Sequence, residues 1–326
     1  MCIRDRGRGA AAARCFLASF DDEGARRALR SAEIQATCIH RGGYPPKLLE
    51  LADPPAVLYA RSDARRLETL LCPPAATIVG TRRPSAHGLE VARGLGRGLA
   101  AAGVTVVSGL ALGIDAAAHR GAVDGGDGVI AVLACGVDVS YPQANRGLYE
   151  RIAERGAVVS ELPPGVPPMR WSFPARNRIM AALGGITVVV EAAEPSGSLI
   201  TAVHAEDLNR PVGAVPGHVT AARAAGSNRL LRDGAVVIRG AVDVLDELFD
   251  VGRHAAAGHT LAADGAGSLD PRLRQVLDGV EGGGGVEAIA GATGLAPADV
   301  RASLGRLELM GLIARAGLAS YVRTVA

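Results

Sequence analysis

From residue 75 to residue 249, short runs of aliphatic and β-branched residues alternate with longer stretches whose apolar positions recur every three or four residues. The runs 75–79, 104–107, 129–133, 158–160, 186–190, 212–215 and 236–238 are apolar with little alternation, the pattern of strands covered on both faces. Between them, 87–102, 114–120, 145–155, the stretch after Pro174, 198–208 and 242–249 carry helical periodicity. These are successive βαβ units, and right-handed crossovers place their helices on both faces of a mostly parallel sheet. The pattern predicts an α/β protein with an extended Rossmann-like, doubly wound domain over 40–250.

Beyond that domain the pattern changes twice. Residues 251–268 are small, Gly-rich and without periodicity, which predicts a flexible linker. Residues 269–326 predict three helices, the first entered by Pro271 at its first turn and the third carrying Val300, Leu304, Leu307 and Met310 at three- and four-residue steps. Two short strands around Gly317 follow, the order of a winged-helix domain. Residues 1–39 are read as a short N-terminal segment, a remnant or part of a helical domain.

Composition narrows the class. Hydrophobic residues make up 48% and charged residues 21%, which fits a soluble globular chain. Aromatics are only 3%, so the core must be built from Ala, Val, Leu and Ile. A net charge of +2 neither indicates nor excludes a nucleic-acid partner, because near-neutrality can hide a local basic groove. Lys47 is the only lysine; a genomic base bias accounts for that preference for arginine. Cys2, Cys15, Cys38, Cys72 and Cys135 form no CxxC pair and read as free thiols in a reducing compartment, with no zinc site. No apolar run approaches the ~20 residues of a membrane span. Arg14 breaks the apolar stretch before residue 20, and acidic residues follow it, so it is not read as a signal peptide. The expectation is a cytoplasmic protein with no membrane partner.

Four strand-to-helix junctions carry the candidate chemistry. In Ile78-Val79-Gly80-Thr81-Arg82-Arg83-Pro84-Ser85, Gly80 permits a sharp turn and the next helix start offers free amides to an anion. The Gly-x-Gly-x-x-Gly fingerprint and the ribose-binding acid of a dinucleotide enzyme are both missing there, so no nicotinamide or flavin cofactor is expected. The Gly94-Leu95-Gly96-Arg97-Gly98 run falls inside a predicted helix, the wrong place for that fingerprint.

In the second junction, Ser108-Gly109 ends a strand, and Asp115 and His119 share one helix face four residues apart. A hydrolase triad is disfavoured, because there is no Gly-x-Ser-x-Gly elbow and a structural Asp–His hydrogen bond is the commoner outcome. The third, Met169-Arg170-Trp171-Ser172-Phe173-Pro174-Ala175-Arg176-Asn177-Arg178, concentrates three arginines, the single Trp and a Phe at a helix start. Arginine forks beside an aromatic ring suit a flexible strand, its phosphates on the charges and an unpaired base on the ring. The bland reading of any one arginine is a pair with Glu161 or Glu191. In the fourth, Ser196-Gly197-Ser198 with Thr201 opens a helix, where hydroxyls and amides either meet a phosphate or cap the helix.

Taken in order, these motifs are those of a known family. Gly80-Thr81-Arg82, Ser108-Gly109-Leu110-Ala111, Gly113-Ile114-Asp115, Ala118-His119, Tyr141-Pro142, Phe173 to Arg178, Ser196 to Ala202, Pro216-Gly217 and Gly226-Ser227-Asn228 resemble the DprA/Smf (DNA processing protein A) pattern, as does the lead-in from Tyr44 to Tyr59. The resemblance implies a non-enzymatic homodimer that binds single-stranded DNA, protects it and loads the RecA recombinase during natural transformation. It implies DNA contacts from Gly80, Arg82, Arg83, Ser108, Gly109, Arg170, Phe173, Arg176, Asn177, Arg178, Ser196, Gly197, Ser198 and Thr201, with no metal or cofactor. The alternative is a Rossmann-like nucleotide phosphoribohydrolase, for which the Pro-Gly-Gly-x-Gly-Thr loop is missing. In a third reading the winged helix reads duplex DNA through Arg301 and Arg306, with Arg315 and Arg323 on its wing.

Overall fold

The computed structural model describes residues 18, 20–62, 64–72, 74–249, 271–281, 286–309, 313–315 and 321–323. They divide into two compact units, one ending at Phe249 and the other beginning at Asp250. The predicted linker 251–268 lies outside the described residues.

In the first unit the strands are β1 (Gln35–Cys38), β2 (Val57–Arg61), β3 (Ala75–Val79), β4 (Thr105–Ser108), β5 (Val129–Val132), β6 (Ala157–Ser160), β7 (Ile186–Val189), β8 (Val212–Ala214) and β9 (Val236–Val237). The helices are α1 (Asp22–Ser31), α2 (Ala64–Leu71), α3 (Ala86–Ala101), α4 (Ile114–Gly125), α5 (Arg146–Arg155), α6 (Ser172–Leu183), α7 (Gly197–Asp207), α8 (Ala225–Arg232) and α9 (Ala241–Phe249). The nine strands form one sheet in the order β1-β2-β6-β5-β4-β3-β7-β8-β9. The seven from β6 to β9 run parallel, and β1 and β2 add an antiparallel edge.

β1 lies within the stretch read as a separate N-terminal segment, so the sheet begins earlier than the periodicity predicted. None of its residues is buried and it is only four residues long, which leaves little apolar signal. α2 and α8 also escaped prediction, being short and rich in arginine.

Both faces of the sheet are dry, which explains the unbroken apolar runs. Ala76 and Ile78 of β3 face one core, with Leu95, Leu99, Ile114 and Ile152. Ala75 and Val79 face the other, with Ile179, Met180, Leu183 and Ala202. Successive residues of one strand therefore point into opposite cores. The lead-in packs on the second core through Leu48, and the Tyr44 hydroxyl donates to the Pro55 carbonyl at 2.7 Å.

α3 and α4 approach each other unusually closely. A Cβ on Gly96 would overlap the Ala118 carbonyl, and one on Gly121 the Arg93 carbonyl. The glycine-rich run in α3 is thus a helix-packing device, while Gly94 in the same run faces open space.

In the second unit, α10 (Pro271–Glu281), α11 (Val286–Thr293) and α12 (Pro297–Leu309) precede the antiparallel pair β10 (Ile313–Arg315) and β11 (Tyr321–Arg323). Val276, Leu277, Ile289, Val300, Leu304 and Leu307 form its own core. Arg301 is exposed. Met310, Gly317 and the side chains of Arg306, Arg315 and Arg323 lie outside the described positions.

Candidate functional site

The chain runs from β3 outward to β4, β5 and β6, then returns to lay β7, β8 and β9 on the other side of β3. The loops after β3 and β7 therefore diverge, and an open crevice is left at the carboxyl ends of these two strands. A cavity of about 350 Å³ lies there, lined by Gly80, Thr81 and Arg82 from the first loop, Ser196, Gly197, Ser198 and Thr201 from the second, and Phe173, Arg176 and Asn177 from α6.

A buried carboxylate that sequence reasoning considered only as an arginine partner holds the two loops together. Glu191 lies two residues past the end of β7, and its two oxygens accept from the amide and hydroxyl of Ser85, each at 2.8 Å. The Glu191 carbonyl also accepts from the Thr81 amide at 2.7 Å. Ser85 in turn caps α3 through the Gly88 amide. The loop carrying Arg82 is thereby tied at both ends.

At the mouth of the cavity the exposed Arg82 guanidinium lies over the Phe173 ring, 5.0 Å from its centroid, a cation–π arrangement. Tyr141 packs on the same ring, with centroids 6.0 Å apart and planes tilted by 58°. Ser172 fixes the start of α6: its hydroxyl donates toward the Ala134 and Met169 carbonyls at 2.6 and 2.7 Å. α6 therefore begins two residues before Pro174.

On the floor, Ser196 caps α7, and its hydroxyl lies 2.7 Å from that of Ser198. Asn177 donates to the Gly197 carbonyl at 3.1 Å and fastens the loop to α6. The Thr201 hydroxyl is fully buried and has no partner.

Several candidates turn out to be structural. Ser108 is buried and donates to the Ile78 carbonyl at 2.6 Å, so it offers no hydroxyl at the sheet edge. Gly109 lies against the Arg176 guanidinium, where any Cβ would overlap it, and its amide donates to Asp115 at 3.2 Å. Arg176 lines the cavity but is only 5% exposed and donates to the Val132 carbonyl. Burial lowers its pKa and raises that of Asp115, while the opposite charges of the two groups resist both shifts. Arg178 forks onto Glu161 at 2.9 and 2.7 Å and donates to the Asp53 carbonyl, away from the cavity. Arg83 and Arg170 are exposed but do not line the cavity.

Asp115 and His119 are not bonded to each other, contrary to the sequence reading. His119 instead meets the Ile130 carbonyl at 3.2 Å, and burial lowers its pKa to about 4. Ser108, Asp115 and His119 each bond to backbone. Gly217 and Asn228 bond each other twice, at 3.0 and 3.1 Å, and neither lines the cavity. Among the described residues no group of His, Cys, Asp and Glu could hold a metal ion. Among them, too, no helix is long and apolar enough to cross a membrane.

The sheet order and the cavity at its switch point define the class: a Rossmann-like α/β protein with its candidate ligand site at the carboxyl edge of the parallel strands. Comparison with known proteins supplies the family. The chain belongs to the DNA recombination-mediator protein A family, whose model matches residues 35–249. The Mycobacterium tuberculosis protein named for DNA processing protein DprA is 43% identical over 260 residues, which cover 79% of this chain and 66% of that relative's length. The crystal structure of DNA processing protein A from Streptococcus pneumoniae superposes with a TM-score of 0.68 at 35% identity, covering 75% of this chain and 83% of the other. A Helicobacter pylori structure, described for its single-stranded DNA binding mode, gives 0.60 at 31% identity and covers 67% and 97%.

Proposed function

We propose that the protein binds single-stranded DNA across this cavity and acts, without turnover, as a recombination mediator. One observation carries the reading: an exposed guanidinium lies on an aromatic ring at the mouth of a cavity floored by a capped helix start. The arginine suits a phosphate, the aromatic pair beside it an unpaired base, and the first amides of α7 with the Ser196 hydroxyl a second phosphate. The single-strand binding named for the Helicobacter pylori relative supports it. In this reading the chain is a cytoplasmic homodimer that protects incoming strands and hands them to RecA during natural transformation. The separate backbone bonds of Ser108, Asp115 and His119 favour binding over hydrolysis.

Titrating fluorescent oligo-dT and a matched duplex at several salt concentrations tests it. The single strand binds preferentially, and Arg82→Ala weakens it while lowering the salt dependence by roughly 0.7 log units per decade, the loss of one phosphate contact. Equal binding of duplex and single strand, or an Arg82→Ala variant indistinguishable from wild type, would overturn the assignment.

A further inference from the structure

The cavity has a neighbour across its rim. Arg82, Ala111 and Phe173 line both the cavity and a second slot of about 60 Å³, with Leu133 buried at its floor and the exposed Leu112 and Tyr141 at its mouth. The Arg82–Phe173 pair is therefore a ridge with a depression on either side. The slot is apolar, and two of its large side chains stand open to solvent, Leu112 at 45% and Tyr141 at 42% exposure. Its one thiol, Cys135, is already turned to the Val139 carbonyl at 3.3 Å.

In a single strand one phosphate separates each base from the next. A phosphate seated on Arg82, which lines both depressions, leaves one flanking base within reach of the cavity and the other within reach of the slot. We infer that the mouth of the slot is a second base subsite, stacking an unpaired base on the exposed surfaces of Tyr141 and Leu112; this rests on the single-strand reading above. Apart from Arg82 at the ridge, the slot offers the Tyr141 hydroxyl and few other groups able to read base edges, so it accepts any base but needs one to be present.

The test uses the full chain, a fluorescent oligo-dT and an abasic oligonucleotide of the same length. Tyr141→Ala weakens oligo-dT binding roughly tenfold and Leu112→Ala severalfold, the scale of one lost stacking contact. Tyr141→Phe binds as wild type does. All three variants keep the wild-type salt slope and the wild-type affinity for the abasic strand, because no phosphate contact is touched. The subsite is overturned if Tyr141→Ala and Leu112→Ala bind oligo-dT as tightly as wild type. It is equally overturned if Tyr141→Ala loses oligo-dT and abasic strand alike, which would make Tyr141 a mere prop for Phe173 and Arg82. Failure of the underlying reading shows differently: wild type itself then binds no oligo-dT.

Discussion

Arg176 and Arg178 stand two residues apart on one helix, and their surroundings give them different work. Arg176 points under the sheet edge, where Gly109 leaves room for its guanidinium. Arg178 points outward to Glu161, and the two side chains are only 15% and 20% exposed. Substituting Arg178→Ala leaves that carboxylate half-buried without its fork, so stability falls by about 2 kcal/mol, measured by urea melts, while the salt slope of oligo-dT binding stays at the wild-type value. In sequence the three arginines of this segment look alike. Whether a guanidinium meets a phosphate or a carboxylate depends on where β6 delivers Glu161, 17 positions upstream, and local spacing does not encode that. The placement of Phe173 and Arg82 at the cavity was legible, because an aromatic in a basic cluster and an arginine after a strand-ending glycine each carry a local reason to stand at the sheet edge.

Within elements, the glycines of α3 show how far pattern reading reaches. Gly94 and Gly96 sit two apart in one helix and weaken it equally by intrinsic propensity. Only Gly96 meets the backbone of α4. Gly94→Ala therefore raises stability by roughly 0.5–1 kcal/mol through helix propensity, and Gly96→Ala lowers it by about 1–3 kcal/mol through overpacking. Thermal melts of the two variants moving in opposite directions check this. The Glu191–Ser85 clamp belongs to the same scale. Sequence shows a serine before a helix and a glutamate after a strand, but only the pairing of β3 with β7 brings those two ends together.

At the scale of the whole molecule, stability carries a pH signature from the first unit's core. His119 is fully buried, and its pKa of about 4 lies below the ~6.5 of an unfolded histidine. A lowered pKa means that the unfolded chain binds more protons between these values. The contribution of neutral His119 is then complete above pH 6.5 and is lost as pH falls toward 4, by on the order of 3 kcal/mol. Asp115, pushed up by burial, acts with the opposite sign but is common to wild type and variant. Urea midpoints of His119→Gln should thus fall less steeply than those of wild type across this window. The two compact units have separate cores, so deleting 269–326 leaves oligo-dT binding within a few-fold of the full chain, measured by the same titration; loss of binding on deletion would move the DNA site to the second unit.

Sequence by itself determined the class of fold, the parallel strands and the helices between them, because a strand buried on both faces must be apolar throughout and a covering helix must carry a stripe. Parallel pairing also put the loops after these strands on one carboxyl edge, but strand order, and with it which loops meet around the cavity, was left to the fold. The tertiary structure decided which side chains in those loops are free. Ser108, Arg176 and Arg178 are held by carbonyls and a carboxylate far off in sequence, while Arg82 is left on the Phe173 ring with Tyr141 behind it. The reason is physical: a strand or helix is specified by its own residues, whereas the partner of a polar group is specified by whichever segment the fold brings within about 3 Å of it.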